Sequence, residues 1–212
     1  MDTTTTARLS GRQAEAARND QRILDAARAV FTADPSAPIA AVAERAGVGM
    51  SALYRRYPSK DDLLRRLSLD TLGAYLAAAE AALADEGDPW TAFAGFMRRA
   101  LDAGTGALTL RFAGTFTAGD ELRRLGQAAH DATRRLIERT QAAGALRTDI
   151  GVPDLSLIFE QLQAVHVGDE ARARQLRHRY LALLLDALHA PSAGPLPGPP
   201  PAWDELTRRY DT

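Results

Sequence analysis

The amino-acid sequence predicts an all-α protein, and three observations support this fold class. Alanine and leucine dominate the apolar residues, whereas aromatic residues make up only 6% of the chain. Side chains that are not branched at Cβ lose little rotamer freedom in a helix, which favours helices over strands. Apolar residues also recur at helical spacing along most of the chain. No alternating strand pattern bounded by turn residues competes with this interpretation.

The composition narrows the class of protein further. With 212 residues, of which 46% are hydrophobic and 25% charged, the chain is typical of soluble globular proteins. It contains no cysteine, which excludes disulfides, thiol catalysis and thiolate metal sites. Neither a signal peptide nor a membrane-spanning stretch is evident, so we expect a cytoplasmic protein that does not interact with a membrane.

The distribution of charge matters more than the net charge of −1. Residues 1–60 carry nine basic and six acidic side chains, a balance of +3, so the remainder of the chain sums to −4. This asymmetry predicts that the N-terminal end attracts phosphate and that the rest of the chain has a different function.

The predicted elements begin with a flexible arm over residues 1–18. The first helix is expected over residues 19–33, where apolar residues share one face, and Asp34-Pro35 ends it. The second is expected over residues 39–46, opened by Pro38 and stopped by Gly47, since glycine tolerates the left-handed conformation after a helix end.

The third helix is predicted from about Met50 to Tyr57, and Pro58 cuts it off. Ser59 and Asp62 then form a start resembling a capping box for a long fourth helix, whose apolar stripe runs to Leu83.

Beyond the break at Gly87-Asp88-Pro89 the pattern remains helical. Further helices are expected over residues 90–103, 108–116, 121–143, 153–166 and 170–188. We therefore predict a helical domain over residues 65–190. Residues 191–212 are a Pro-rich tail, within which residues 203–210 form a short helix or a disordered end.

Residues 39–60 carry the most informative motif. A helix-turn-helix needs a small residue where its helices cross, a glycine in the turn and apolar residues that hold the second helix on the first. Ala43, Gly47, Val48 and Leu53 supply these at suitable offsets. The second helix can then present residues 49–51, 55 and 56 outward, with its N-terminal part in the major groove of DNA.

This segment resembles the DNA-binding domain of the TetR family, whose typical form is A-x-R-A-G-V-S-x-x-x-L-Y-x-H-F-x-S-K-x-x-L. Residues 43–49 read AERAGVG and residues 53–63 read LYRRYPSKDDL. The resemblance covers about residues 19–64 and implies a helix-turn-helix DNA-binding domain there. It further implies that the remaining helices form a domain for dimerisation and effector binding.

The resemblance also implies the residues that contact DNA. Tyr54 and Lys60 would contact phosphates, whereas residues 49–51 and Arg55 would face bases. The complete predicted set is Arg45, Gly49, Met50, Ser51, Tyr54, Arg55, Arg56 and Lys60. Gly49 and Met50 replace the serine and basic residue usual in the family, so base recognition rests on Arg55, on backbone groups or on an apolar contact with a thymine methyl.

Physical arguments support some of these roles independently. Lys60 is the only lysine in the chain and stands at a helix start, where backbone N–H groups suit an anion. Arg8, Arg12 and Arg18 lie on the predicted arm, from which they could reach phosphates or a minor groove. A solvated helix face is the alternative for Arg55 and Arg56, and a core position is the preferred interpretation for Tyr57.

Other chemistries have weaker support. Residues 47–52 fit G-x-G-x-x-A, a dinucleotide-binding pattern, but a helical segment precedes them where a strand is required. There is no G-x-S-x-G, and the four histidines lack partners at a spacing that would bind zinc. The sequence thus predicts no catalytic site, metal or cofactor.

The last two long helices carry more apolar surface than one exposed helix hides, and the resemblance implies that they pair with a second copy of the chain. The resemblance also implies an effector cavity among the middle helices, with a small hydrophobic or aromatic ligand. Its candidate lining is Phe93, Met97, Phe112, Phe116, Phe159, Gln163 and His166. Ordinary core packing is the alternative for each of these residues.

We therefore expect a homodimeric repressor that binds a palindromic operator and is released by a small hydrophobic molecule. A helical small-molecule carrier or enzyme with a repurposed trihelical head is the first alternative. A structural or interaction protein is the second, although it would not need the basic N-terminal bias.

Overall fold

The computed structural model describes residues 3–34, 36–104, 119–190 and 194–207. Within these ranges all regular structure is helical, and the only extended pairing is an isolated bridge between Leu146 and His189. The predicted all-α class is confirmed. The helices are α1 Thr3–Ala33, α2 Ile39–Ala46, α3 Met50–Arg56, α4 Lys60–Ala84, α5 Pro89–Asp102, α6 Asp120–Ala142, α7 Val152–Gln163, α8 Glu170–Leu188 and α9 Trp203–Thr207.

Two helix bounds differ from the sequence prediction by three residues or more. The first helix starts at Thr3 rather than at residue 19, so the backbone predicted as a flexible arm is helical from that point. Residues 3–18 contain no proline and include four alanines and three arginines, which favour helices, and the single Gly11 costs a helix only about 1 kcal/mol. Helix α7 ends at Gln163, three residues early. Helix α9 spans Trp203–Thr207, and the rest of the predicted 203–210 segment lies outside the described residues. The helix predicted over residues 108–116 lies outside the described residues.

The chain divides into two compact units, residues 1–67 and 68–212, and α4 begins in the first and ends in the second. In the first unit α2 packs against α1 and α3. Its fully buried apolar side chains are contributed by all four helices and include Ala27, Phe31, Val42, Leu53, Leu63 and Leu67.

The turn between α2 and α3 is closed by backbone hydrogen bonds. Gly47 adopts the left-handed conformation, with φ of 65°. Its N–H donates to the carbonyl of Glu44 at 3.1 Å, and the Val48 N–H donates to that of Ala43 at 3.0 Å. These two bonds form a Schellman motif, which satisfies carbonyls left free at the end of α2.

In the second unit α5 lies against α6, α7 and α8. The core includes Phe93, Phe96, Met97, Leu136 and Leu155, all with no exposed surface. One polar pair interrupts it: the Thr133 hydroxyl lies 3.0 Å from that of Tyr75, and burial raises the pKa of Tyr75 to about 12.

The described part of the Pro-rich tail is attached to the second unit. Arg147 forms a bidentate ion pair with Asp149, and its Nη2 donates to the carbonyl of Gly194 at 2.9 Å. The Leu196 N–H donates to Asp149 Oδ2 at 3.0 Å. Further on, Leu206 of α9 is only 4% exposed. Residues 194–206 thus contribute contacts to this unit.

Candidate nucleic-acid interface

Helix α3 buries one side chain and exposes most of the others. Leu53 has no exposed surface and is the only buried residue of the helix. Met50 and Tyr54 are 37% and 45% exposed, and Ser51, Arg55 and Arg56 are also exposed. Residues three and four apart share a helix face, so Ser51, Tyr54 and Arg55 lie on one side. The structure therefore brings most of the predicted contact residues together on one accessible surface.

Gly49 precedes this helix and is exposed. A Cβ atom built at Gly49 would have no neighbouring atom within 4 Å. Among the described residues, therefore, none lies against Gly49 on the side that a Cβ atom would occupy. Arg45, in the last turn of α2, is also exposed.

The C-terminal end of α3 is fixed to α1 by Asp20. Arg56 donates from Nε to Asp20 Oδ1 and from Nη2 to Oδ2, both at 2.8 Å. The Tyr57 hydroxyl donates to Asp20 Oδ1 at 2.6 Å. Charge-assisted bonds of this bidentate kind are among the strongest in proteins.

Electrostatics agree with this geometry. The hydrogen bonds from Arg56 lower the pKa of Asp20 below its ordinary value. Burial and the neighbouring Asp20 carboxylate raise the pKa of Tyr57 well above its ordinary value. Tyr57 is 5% exposed, which confirms the predicted core position. Although Arg56 is exposed, two of its N–H donors thus form hydrogen bonds within the protein.

A second arginine of α1 supports the turn. The Arg22 Nη2 donates to the carbonyl of Ala46 at 2.7 Å, at the C-terminal end of α2. A positive charge there is favourable because helix carbonyls concentrate negative potential at that end. Arg22 thus stabilises the turn that sets α3 against α2.

The structure gives Lys60 an internal partner that the sequence did not predict. Lys60 is the first residue of α4, as expected, but its Nζ donates to the carbonyl of Ala37 at 2.8 Å. The same ammonium lies 5.0 Å from the centre of the Phe31 ring. These contacts tie the start of α4 to the segment after α1, so a phosphate would compete with them for Lys60.

A cleft of about 910 Å³ with several charged side chains in its lining opens between α1 and α3. Its charged lining comprises Glu15, Arg18, Asp20, Arg22, Arg55 and Arg56, a net balance of +2. Asp20 and Arg22 of this lining were absent from the sequence-based candidates. Their position after the predicted arm was visible in the sequence, but their partners lie more than 20 residues away along the chain.

The candidate ligand-binding residues separate into three groups. Phe93, Met97, Phe159 and Gln163 are buried, and the Gln163 side-chain amide donates to the carbonyl of Leu101 at 2.9 Å. His166 is exposed in the segment after α7, apart from this buried group. Phe112 and Phe116 lie outside the described residues.

An apolar groove of about 710 Å³ lies between the end of α7 and α8. Its lining includes Leu162, Val165, Leu176, Tyr180, Leu183 and Leu184. Tyr180 is 46% exposed and Leu183 57%. On α7, in contrast to Tyr180 and Leu183 of α8, the apolar side chains of Leu155, Phe159 and Leu162 are buried within the unit.

The described ranges contain neither a candidate membrane-spanning helix nor a candidate metal site. There, no helix has the length and apolar character that crossing a membrane requires. Nor does any cluster of His, Asp or Glu side chains in that part of the chain converge to hold a metal ion.

Two family models match the chain. Residues 23–67 match the N-terminal domain model of the bacterial regulatory proteins of the tetR family. Residues 88–190 match the C-terminal domain model of SbtR-like transcriptional regulators. The first match contains α2, α3 and the turn between them, and the tail lies beyond the second.

Individual relatives agree. The chain is 34% identical over 105 residues to the HTH-type transcriptional repressor LfrR of Mycolicibacterium smegmatis. The aligned residues cover 50% of this chain and 56% of that protein. The alignment thus spans little more than half the length of this curated relative.

Solved structures extend the similarity across most of the chain. The crystal structure of LfrR in complex with proflavine is 25% identical, with a TM-score of 0.61, and the match covers 85% of this chain and 99% of that one. A TetR transcriptional regulator from Streptomyces coelicolor is 26% identical with a TM-score of 0.55, over 82% and 99% of the two chains. With the helix-turn-helix geometry and both family matches, these similarities show that the chain belongs to the TetR family of DNA-binding transcriptional regulators.

Proposed function

We propose that this protein is a repressor that binds a palindromic operator as a homodimer and leaves it when a small hydrophobic molecule binds the second unit. The main support for this proposal is the exposed face of α3. Leu53 is buried and packs the helix against the unit, and most of its other side chains are accessible to DNA. The relative LfrR, named a repressor, supports the direction of regulation.

Arg55 is the principal base-reading residue in this proposal. It is exposed, and within the described residues no hydrogen bond or ion pair engages its guanidinium. A free guanidinium can donate two parallel hydrogen bonds to guanine, the commonest specific contact in the major groove. Ser51 can bond to a base edge, and Met50 can contact a thymine methyl. Arg45, Tyr54 and Lys60 are assigned to phosphates, and Arg56 and the backbone at Gly49 flank the same surface.

Dimerisation is proposed through α7 and α8. The exposed Tyr180 and Leu183 beside the apolar groove form a surface that water solvates poorly, and a second copy would cover it. Two α3 helices about one turn of DNA apart would then read both halves of a palindrome. His166 lines this groove, so it belongs to the proposed dimer surface rather than to the ligand site.

The ligand is proposed to bind beside Phe93, Met97, Phe159 and Gln163. These side chains are packed, so a ligand would have to displace them and would favour a state in which they move apart. It can shift the population away from DNA only by its differential affinity for the two states. The LfrR complex makes proflavine a suitable first aromatic probe.

The test begins with a duplex selected from a random library by the wild-type protein. Fluorescence anisotropy then compares that duplex with a scrambled one, for wild type, Arg55→Ala and Arg174→Ala. Arg174 is exposed on α8 and controls for the loss of one positive charge. We expect Arg55→Ala to reduce discrimination between the duplexes about tenfold, and Arg174→Ala to leave it unchanged. Titrating proflavine into the complex then asks whether an aromatic molecule releases the DNA.

Three results would contradict parts of the proposal. If no sequence is enriched, the protein does not read DNA, and a repurposed helical carrier becomes the better description. A stoichiometry of one protomer per duplex would contradict the binding of a homodimer to a palindromic operator. Equal discrimination by Arg55→Ala and Arg174→Ala would remove Arg55 as the base-reading residue.

A further inference from the structure

Asp20 lies where α1 meets the end of the DNA-facing helix. Its side chain is only 13% exposed, although that of its partner Arg56 is 59% exposed. The carboxylate accepts three hydrogen bonds, two from Arg56 and one from Tyr57. Asp25, one and a half turns further along α1, differs: it is 59% exposed, and its nearest cation, Arg28, lies 3.9 Å away.

The two neighbouring arginines of α3 are therefore in different states. Arg56 donates to Asp20 from Nε and Nη2, whereas no hydrogen bond or ion pair among the described residues engages Arg55. An arginine held in a bidentate pair keeps three of its five N–H donors, but the pair fixes the direction of the guanidinium, which can no longer turn freely toward guanine or phosphate. Within the described residues, only Arg55 of the two adjacent arginines has all of its donors available to DNA.

The same carboxylate also restrains α3. Helix α3 has only seven residues and one buried side chain, Leu53, so its own packing fixes its rotation weakly. Three hydrogen bonds at its C-terminal end add a second point of attachment. Arg55 immediately precedes the residue that is held, so its direction depends on that attachment.

We propose that Asp20 is a positioning residue for DNA recognition: it holds Arg56 away from DNA and fixes the rotation of α3 so that Arg55 faces the bases. This inference rests on the proposed function and adds a specificity-determining residue outside the helix-turn-helix. In this role Asp20 touches no base and acts through Arg55 and Arg56.

Asp20→Asn tests the proposal because it keeps the shape of the side chain and removes its charge. Arg56 is then released and can neutralise a phosphate, which strengthens binding to any sequence and steepens the salt dependence by about one phosphate per protomer. Arg55 loses its fixed direction, and discrimination against a scrambled duplex falls about tenfold. Total affinity for unrelated DNA thus rises while selectivity falls, a combination that simple destabilisation does not produce.

Two further variants separate the effects. Asp25→Asn removes the same charge from an exposed position of α1 and controls for net charge. In the double variant Asp20→Asn/Arg56→Met, the released arginine is absent, so we expect the added affinity for scrambled DNA to disappear while selectivity stays low. Each full-length protein is titrated by anisotropy with the wild-type-selected and scrambled duplexes over a salt series, below its melting temperature measured by circular dichroism.

The outcomes are distinct. If wild type enriches no sequence, the proposed function and this inference both fail. If wild type selects a sequence and Asp20→Asn behaves like Asp25→Asn, the positioning role is wrong and the regulator stands. Parallel losses of affinity for both duplexes by Asp20→Asn would show that Asp20 only stabilises the fold, and would also overturn the inference.

Discussion

Substituting Gly47 by alanine tests whether the turn between α2 and α3 depends on a left-handed residue. Gly47 has φ of 65°, and a residue with a Cβ atom in that conformation costs about 1–2 kcal/mol. The added Cβ would also lie 3.2 Å from Arg22 Nη2, the atom that donates to the carbonyl of Ala46. Moving that guanidinium weakens a half-buried hydrogen bond, so we expect a total loss of about 2 kcal/mol.

Gly49, two residues later, is the matched control. Its φ is −69°, and a Cβ atom there would meet nothing within 4 Å. Alanine is a poorer N-cap than glycine but reduces the entropy of the unfolded chain, so these small effects oppose each other. We expect Gly49→Ala to change stability by no more than about 0.5 kcal/mol.

The assay is urea unfolding followed by far-UV circular dichroism, since both tryptophans lie in the second unit and would not report on the first. With a denaturant dependence of about 2 kcal/mol per molar urea, Gly47→Ala should lower the midpoint by about 1 M. Gly47→Asn should fall between wild type and alanine, because asparagine tolerates the left-handed region. Equal midpoints for Gly47→Ala and Gly49→Ala would refute the reasoning.

Three other predictions follow from the structure. Leu183→Glu places a charge on the proposed dimer surface and should yield monomers in sedimentation velocity, whereas Leu196→Glu, exposed in the tail, should not change the molecular mass. Leu206→Ala should lower stability by about 2 kcal/mol because Leu206 is buried, and a thermal melt matching that of Leu196→Ala would show that α9 contributes no packing. Because Arg56 lowers the pKa of Asp20, that carboxylate stabilises the folded state above its unfolded pKa of about 4, and this contribution is lost as the pH falls through the lower folded value. The difference in urea midpoint between wild type and Asp20→Asn should thus be constant near pH 7 and shrink below about pH 4; a constant difference down to pH 3 would exclude the ion pair as its cause.

The helix-turn-helix was predictable from the sequence because its determinants are local. Ala43, Gly47 and Leu53 lie within eleven residues, and each has a conformational or steric requirement that the residue type alone reveals. The buried Leu53 and the left-handed Gly47 match those requirements. Helical periodicity and proline positions likewise predicted most helix bounds, because hydrogen bonds within a helix join residues four apart.

The roles of individual charged residues were less accessible. Lys60 was predicted to meet phosphate because it stands at a helix start, but it also bonds to Ala37, 23 residues earlier. Among the candidate ligand residues, Phe159 and His166 both fall within the helix predicted over residues 153–166. The early end of α7 separates them, because the backbone leaves the helix after Gln163.

The sequence by itself determined the helical class, the turn that defines the DNA-reading motif and the basic bias of the N-terminal region. These follow from periodicity, glycine and proline conformation, and composition, which are properties of neighbouring residues. Only the tertiary structure decided which charges are available on the surface of α3. Asp20 engages Arg56 across 36 residues and leaves Arg55 accessible. Two adjacent arginines look equivalent in a sequence, and they are distinguished only when folding brings a distant carboxylate within hydrogen-bonding distance of one of them.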